Sequence, residues 1–119
     1  MSIKTIMKWE GNTFQSSTGL TEEFARFARD FKKYLREVCS TDYDIVNFSR
    51  GHFYLSGFVK RRFNGKLAYF SISDVRHFPD SWIDNTLVRT AEHEKDYTGG
   101  SNNSCKIDEL EDVFERLTH

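Results

Sequence analysis

From Phe24 to Val38 the apolar side chains fall at Phe24, Phe27, Ala28, Phe31, Tyr34, Leu35 and Val38, a spacing that winds them onto one side of a helix. Arg26, Arg29, Lys32, Lys33 and Arg36 take the wet side. Thr21 is placed to cap this helix, with Glu22 and Glu23 in its first turn. A second stripe, Ile107, Leu110, Val113, Phe114 and Leu117 beside Asp108, Glu109, Glu111, Asp112 and Glu115, predicts a closing helix from about Lys106 to Leu117, with Ser104 as its N-cap.

Between the helices the pattern changes to runs rich in aromatic and β-branched residues, Tyr43 to Ser49, His52 to Arg62 and Lys66 to Ser73. Asn64-Gly65 reads as a two-residue hairpin turn. That turn would pair Phe63 with Lys66, Val59 with Phe70 and Gly57 with Ile72. It puts Phe53, Leu55, Val59, Ala68, Phe70 and Ile72 on one face and Tyr54, Phe58, Lys60, Arg62 and Tyr69 on the other. At the amino end, Ile3 to Trp9 and Thr13 to Ser16 flank a Glu10-Gly-Asn12 turn and read as a further hairpin. The alternation breaks at Asp74 to Asp80, and Trp82 to Glu94 reads as a short helix. The expected fold is α+β: an antiparallel meander with an N-terminal hairpin, packed against a long amphipathic helix and a C-terminal helix, in a single domain over residues 1–119.

Composition narrows the function more than the fold. A chain of 119 residues with 38% hydrophobic residues and one proline can bury one core and has no disordered tract. A net charge of −1 gives no whole-molecule attraction to nucleic acid or anionic membrane, so an electrostatic partner must be met by a local patch. Cys39 and Cys105 are isolated, as suits a reducing compartment, and neither a signal-peptide run at Met1 to Glu10 nor an apolar span is present; a cytoplasmic protein without a membrane partner is expected. The histidines at 52, 77, 93 and 119 lack metal-ligand spacing, and no P-loop, dinucleotide fingerprint or nucleophile elbow occurs. No metal, cofactor or catalytic residue is assigned.

Candidate chemistry gathers in Arg89 to Ser104. Gly99 and Gly100 can turn successive backbone N–H groups toward an anion, with Arg89, His93 and Lys95 supplying charge and donors. His93 among Glu92, Glu94 and Asp96 has the makings of a base held by a carboxylate. An ordinary loop and a solvated charged face explain the same residues. Asp74, Arg76, Asp96, Tyr97, Asn102 and Asn103 complete this candidate binding surface. A second candidate is Lys60-Arg61-Arg62 with Lys66 at a hairpin tip, backed by Tyr54, Phe58 and Tyr69: cations to follow a phosphate backbone and rings to stack bases. The alternative is a hairpin end that uses its charges against edge pairing.

Gly51-His-Phe-Tyr-Leu-Ser-Gly-Phe58, Ser71-Ile-Ser-Asp-Val-Arg76, Arg89-Thr-Ala91 and Lys95-Asp-Tyr-Thr-Gly-Gly-Ser-Asn-Asn103 resemble a group of small accessory proteins of phages, plasmids and conjugative elements of Gram-positive bacteria. The resemblance implies a mobile-element protein, of a kind in which some members inhibit host defences such as CRISPR effectors, and it carries no catalytic residue. The expected function is non-catalytic binding to a protein partner. Nucleic-acid binding through residues 60–66 is the alternative, and an enzyme or ligand-binding protein for a small anion at Gly99-Gly100 is the third reading.

Overall fold

The computed structural model describes Ile6 and residues 20–51, 54–72, 86–96 and 99–119. Helix α1 spans Leu20–Cys39, followed by strands β1 (Tyr43–Arg50), β2 (Leu55–Arg61), β3 (Leu67–Ile72), β4 (Thr86–Ala91) and β5 (Asn103–Cys105), a 3-10 turn at Ile107–Glu109 and helix α2 (Leu110–Leu117). The fold is α+β, with the strands in a five-stranded antiparallel sheet of order β1-β2-β3-β4-β5. Helix α1 begins before Thr21, which therefore lies inside it. It ends at Cys39 because Ser40 turns left-handed (φ 44°) and donates its N–H to the Arg36 carbonyl at 2.9 Å. Ile6 is buried and helical where a strand was expected, and the rest of the expected N-terminal hairpin lies outside the described residues.

The apolar stripe of α1 does what its spacing promised. Phe24, Phe27, Phe31 and Leu35 are fully buried against one sheet face, which supplies Leu55, Val59, Ala68, Phe70, Ile72 and Val88, while Ile107, Leu110 and Phe114 close the same core from the carboxyl side. Phe70 is the meeting point. Its ring centroid lies 5.8 Å from that of Phe31 on α1, 6.2 Å from Phe48 on β1 and 6.1 Å from Phe114 on α2. Tyr34 adds a polar tie, donating to the Ile107 carbonyl at 2.9 Å; burial, then the nearby Glu111, pushes its hydroxyl pKa up to about 12. Both thiols are buried, and desolvation pushes Cys39 up to about 12 and Cys105 to about 11.

The described residues of the meander have the expected faces but not the expected register, and Phe53 lies outside them. Val59 pairs with Ala68, Gly57 with Phe70 and Leu55 with Ile72, two positions from the predicted pairing. A type I′ turn requires positive φ at both residues, and Asn64 does not have it: Gly65 alone is left-handed (φ 72°). The loop is instead four residues long, Arg62 to Gly65, closed by Arg61 N–H to Lys66 O (2.8 Å) and Gly65 N–H to Arg61 O (2.7 Å). A slip of two keeps every side chain on its face, which is why the face assignment holds while the pairing does not. A Cβ at Gly65 meets nothing within 4 Å, so only its backbone angle resists substitution. Gly65→Ala is expected to cost about 1–2 kcal/mol in urea denaturation, and Gly65→Asn less.

Two further elements differ from expectation. Thr86 to Ala91 is a strand between β3 and β5, not part of a helix, because Thr86 and Val88 alternate inward with Leu87 and Arg89 outward and both edges are paired. Ser104 sits in β5 and caps nothing. The closing helical segment starts at Ile107, where the Glu109 carboxylate accepts the Lys106 N–H at 2.9 Å.

Candidate functional site

The charged segment after β4 belongs to the second sheet face, opposite the core. There Phe58 is fully buried, its ring centroid 5.4 Å from that of Tyr69, and the Arg89 guanidinium stands 5.8 Å from the Tyr69 ring. Arg89 also donates its Nε hydrogen to Asn102 Oδ1 at 2.6 Å, tying β4 to the residues entering β5.

Beyond Ala91 the chain folds back over this face as far as the opposite edge. The Glu94 carboxylate lies 4.0 Å from Lys60 Nζ on β2, and the Glu94 carbonyl accepts from Asn47 Nδ2 on β1 at 2.9 Å. Asn47 is available because β1 has a bulge between Val46 and Ser49, with Asn47 left-handed at φ 53°. Sequence reading missed Asn47, and only the tolerance of Asn for that conformation hinted at it.

Internal bonds fix the loop. Asp96 is its hub: the carboxylate accepts from Glu92 N–H (3.0 Å) and Gly99 N–H (2.9 Å), and the Asp96 N–H donates to the His93 carbonyl (3.1 Å). The His93 ring accepts from Lys95 N–H through Nδ1 at 3.2 Å. This ring nitrogen is thus engaged by a backbone amide and not by a carboxylate. Asn103 donates to the Ser101 carbonyl at 3.0 Å.

Gly99 and Gly100 both have roles within the fold. The Gly99 amide already holds the Asp96 carboxylate, and Gly100, left-handed at φ 74°, lies against Thr90 of β4. A strand follows the pair, so no helix end adds its positive pole. His93, Glu94, Lys95, Gly100, Ser101 and Asn102 remain exposed on this platform. Asp74, Arg76 and Tyr97 lie outside the described residues.

The basic hairpin is engaged within the chain. Arg62 donates to Asp44 Oδ1 through Nε (2.9 Å) and a terminal nitrogen (2.7 Å), a contact that raises its pKa. Lys60 faces Glu94. Arg61 lies 3.8 Å from Glu115 and 3.4 Å from the Thr118 carbonyl, while Lys66 donates to the His119 carbonyl and Asn64 to that of Thr118, both at 2.7 Å. Cations and amides here meet the carbonyl end of α2, where the helix dipole is negative. Of the three rings expected behind the tip, Tyr54 is exposed, Phe58 is packed away and Tyr69 is half-buried beside Arg89.

Comparison with known proteins gives no match: no family model fits the chain, and neither a curated protein nor a solved structure is significantly similar to it. Among the described residues, no His, Cys, Asp and Glu side chains are grouped to hold a metal ion, and no helix is long and apolar enough to cross a membrane.

Proposed function

We propose that this chain is a small binding protein that acts without catalysis, engaging a protein partner through the segment between β4 and β5. One observation carries the reading: the described residues of the segment, 92–96 and 99–102, are mostly exposed yet held through Asp96, Asn47, Lys60 and Arg89, so they have little conformational freedom to lose on association. A connection between adjacent antiparallel strands needs only a few residues, and this one spends eleven, Glu92 to Asn102, to cross a sheet face. The resemblance to mobile-element accessory proteins supports a host or defence protein, such as a CRISPR effector, as the partner. Two free, buried cysteines agree with work in the cytoplasm.

The test is site-specific photo-crosslinking from position 95 in host lysate, with position 33 on α1 as the control. Once the captured protein is identified, His93→Ala and Lys95→Glu are expected to weaken its binding at least tenfold, about 1.4 kcal/mol or more, with an unchanged melting temperature. Full binding by both variants overturns the assignment of this surface.

A further inference from the structure

On the other side of the molecule, α1 shows solvent a line of positive charge. Arg26, Arg29, Lys33 and Arg36 are all exposed, and their three-four-three spacing makes one stripe, about 15 Å long at the helical rise. Lys32 lies on the same flank, its ammonium 5.1 Å from the centroid of the Phe48 ring. By helix geometry Asp30 lies one turn from Arg26 and Lys33, and Glu37 one turn from Lys33, along one edge of the stripe.

The sheet adds a second wall. Arg50, the last residue of β1, comes to Arg29 and Lys32 across a cleft of about 470 Å³ that Ala25, Ala28 and Phe48 line. Among the described residues none of these six cations has an ion pair, whereas Lys60, Arg61 and Arg62 of the hairpin each have one. Like charges this close repel; Asp30 and Glu37 stand one turn from Arg26 and Lys33 at the edge of the stripe, but Arg29, Lys32 and Arg36 have no carboxylate three or four residues away. In a molecule of net charge −1 the concentration is local.

We propose that this α1–β1 face binds the phosphate backbone of duplex nucleic acid without reading its sequence. A straight row of cations suits a stiff, linear polyanion, and four of the six are arginines, whose planar fork matches phosphate with two hydrogen bonds. Binding of single strands draws on exposed rings for stacking. The Phe48 ring in the cleft lies under the Lys32 ammonium, while the exposed Tyr54 ring lies against Gly51 beside Arg50, so comparison with the single strand decides the assignment. The surface is separate from the β4–β5 segment, which crosses the opposite sheet face, and the proposal stands or falls independently of the protein-binding reading.

Fluorescence anisotropy with a labelled mixed-sequence 20-base-pair duplex tests it. The wild-type chain is expected to bind at low salt, with a log-log salt slope of about −5 if all six cations meet phosphates. Arg29→Glu/Lys32→Glu/Arg50→Glu is expected to weaken binding at least tenfold, as is Arg26→Glu/Lys33→Glu, which touches exposed positions only. Both should melt no lower than the wild type. Arg62→Ala, in the hairpin, should bind as the wild type does. No binding at low salt, or full binding by both charge-reversed variants, overturns the proposal. Tighter binding to the single strand, or equally tight binding to polyglutamate, also overturns it and assigns the face to single strands or to an acidic protein segment.

Discussion

Phe70→Ala is expected to lower the unfolding free energy by about 3–5 kcal/mol, the range for emptying a buried phenylalanine site. The reason is its position. Its ring is fully buried and joins three elements, through Phe31 of α1, Phe48 of β1 and Phe114 of α2. Rings of that size cannot close the gap by small shifts, so the loss combines transfer free energy with an unfilled cavity. Since domains of this size are stable by only about 5–15 kcal/mol, the variant should be near the edge of folding at physiological temperature. Urea denaturation measures the change. Phe63→Ala, at a side chain 91% exposed, serves as control and should be close to neutral. A loss below about 1.5 kcal/mol for Phe70→Ala would mean that the three elements do not share this ring.

Gly100→Val should do its damage at the β4–β5 platform. A side chain there faces two obstacles at once: the left-handed backbone at φ 74°, worth about 1–2 kcal/mol, and a Cβ only 2.5 Å from Thr90 Oγ1 and 2.7 Å from the Thr90 carbonyl oxygen. The second obstacle involves the backbone of β4, held at Thr90 by its pairing with Ala68 of β3, so the loop must move instead. Hydrogen exchange reads that movement. The Gly99 amide, held by Asp96, is expected to lose its protection, and binding of the partner captured from position 95 should fall with it. Gly65→Val, equally left-handed but with open space around its Cβ, separates the two terms. Equal costs at both glycines would show that Gly100 is not pressed against Thr90.

The stripe of cations on α1 and the crossing loop lie on opposite sides of the sheet, so occupation of one leaves the other accessible. The hairpin, the most basic stretch in the sequence, lends Lys60 to the crossing loop. Its cations hold Asp44, Glu94 and the end of α2, and they mark how the chain closes.

What the sequence determined by itself is what depends on local repetition. The stripe from Phe24 to Val38 sets the buried face of α1, because a helical period is a property of neighbouring residues and needs no distant partner. The two faces of β2 and β3 were legible for the same reason, since alternation survives an even slip of register. Tertiary structure decided the rest. Thr86 to Ala91 became a strand because β3 and β5 pair with it, and six residues alone do not separate a short strand from a helical turn. Asp96 and Gly99 satisfy each other only when the loop has folded back, and that path is set by Asn47 and Lys60, residues more than thirty positions earlier. Likewise Arg50 meets Arg29 and Lys32 only because β1 packs beside α1. Charge is written in the sequence, but whether a charge is neutralised or left facing water depends on which distant groups the folded chain places beside it.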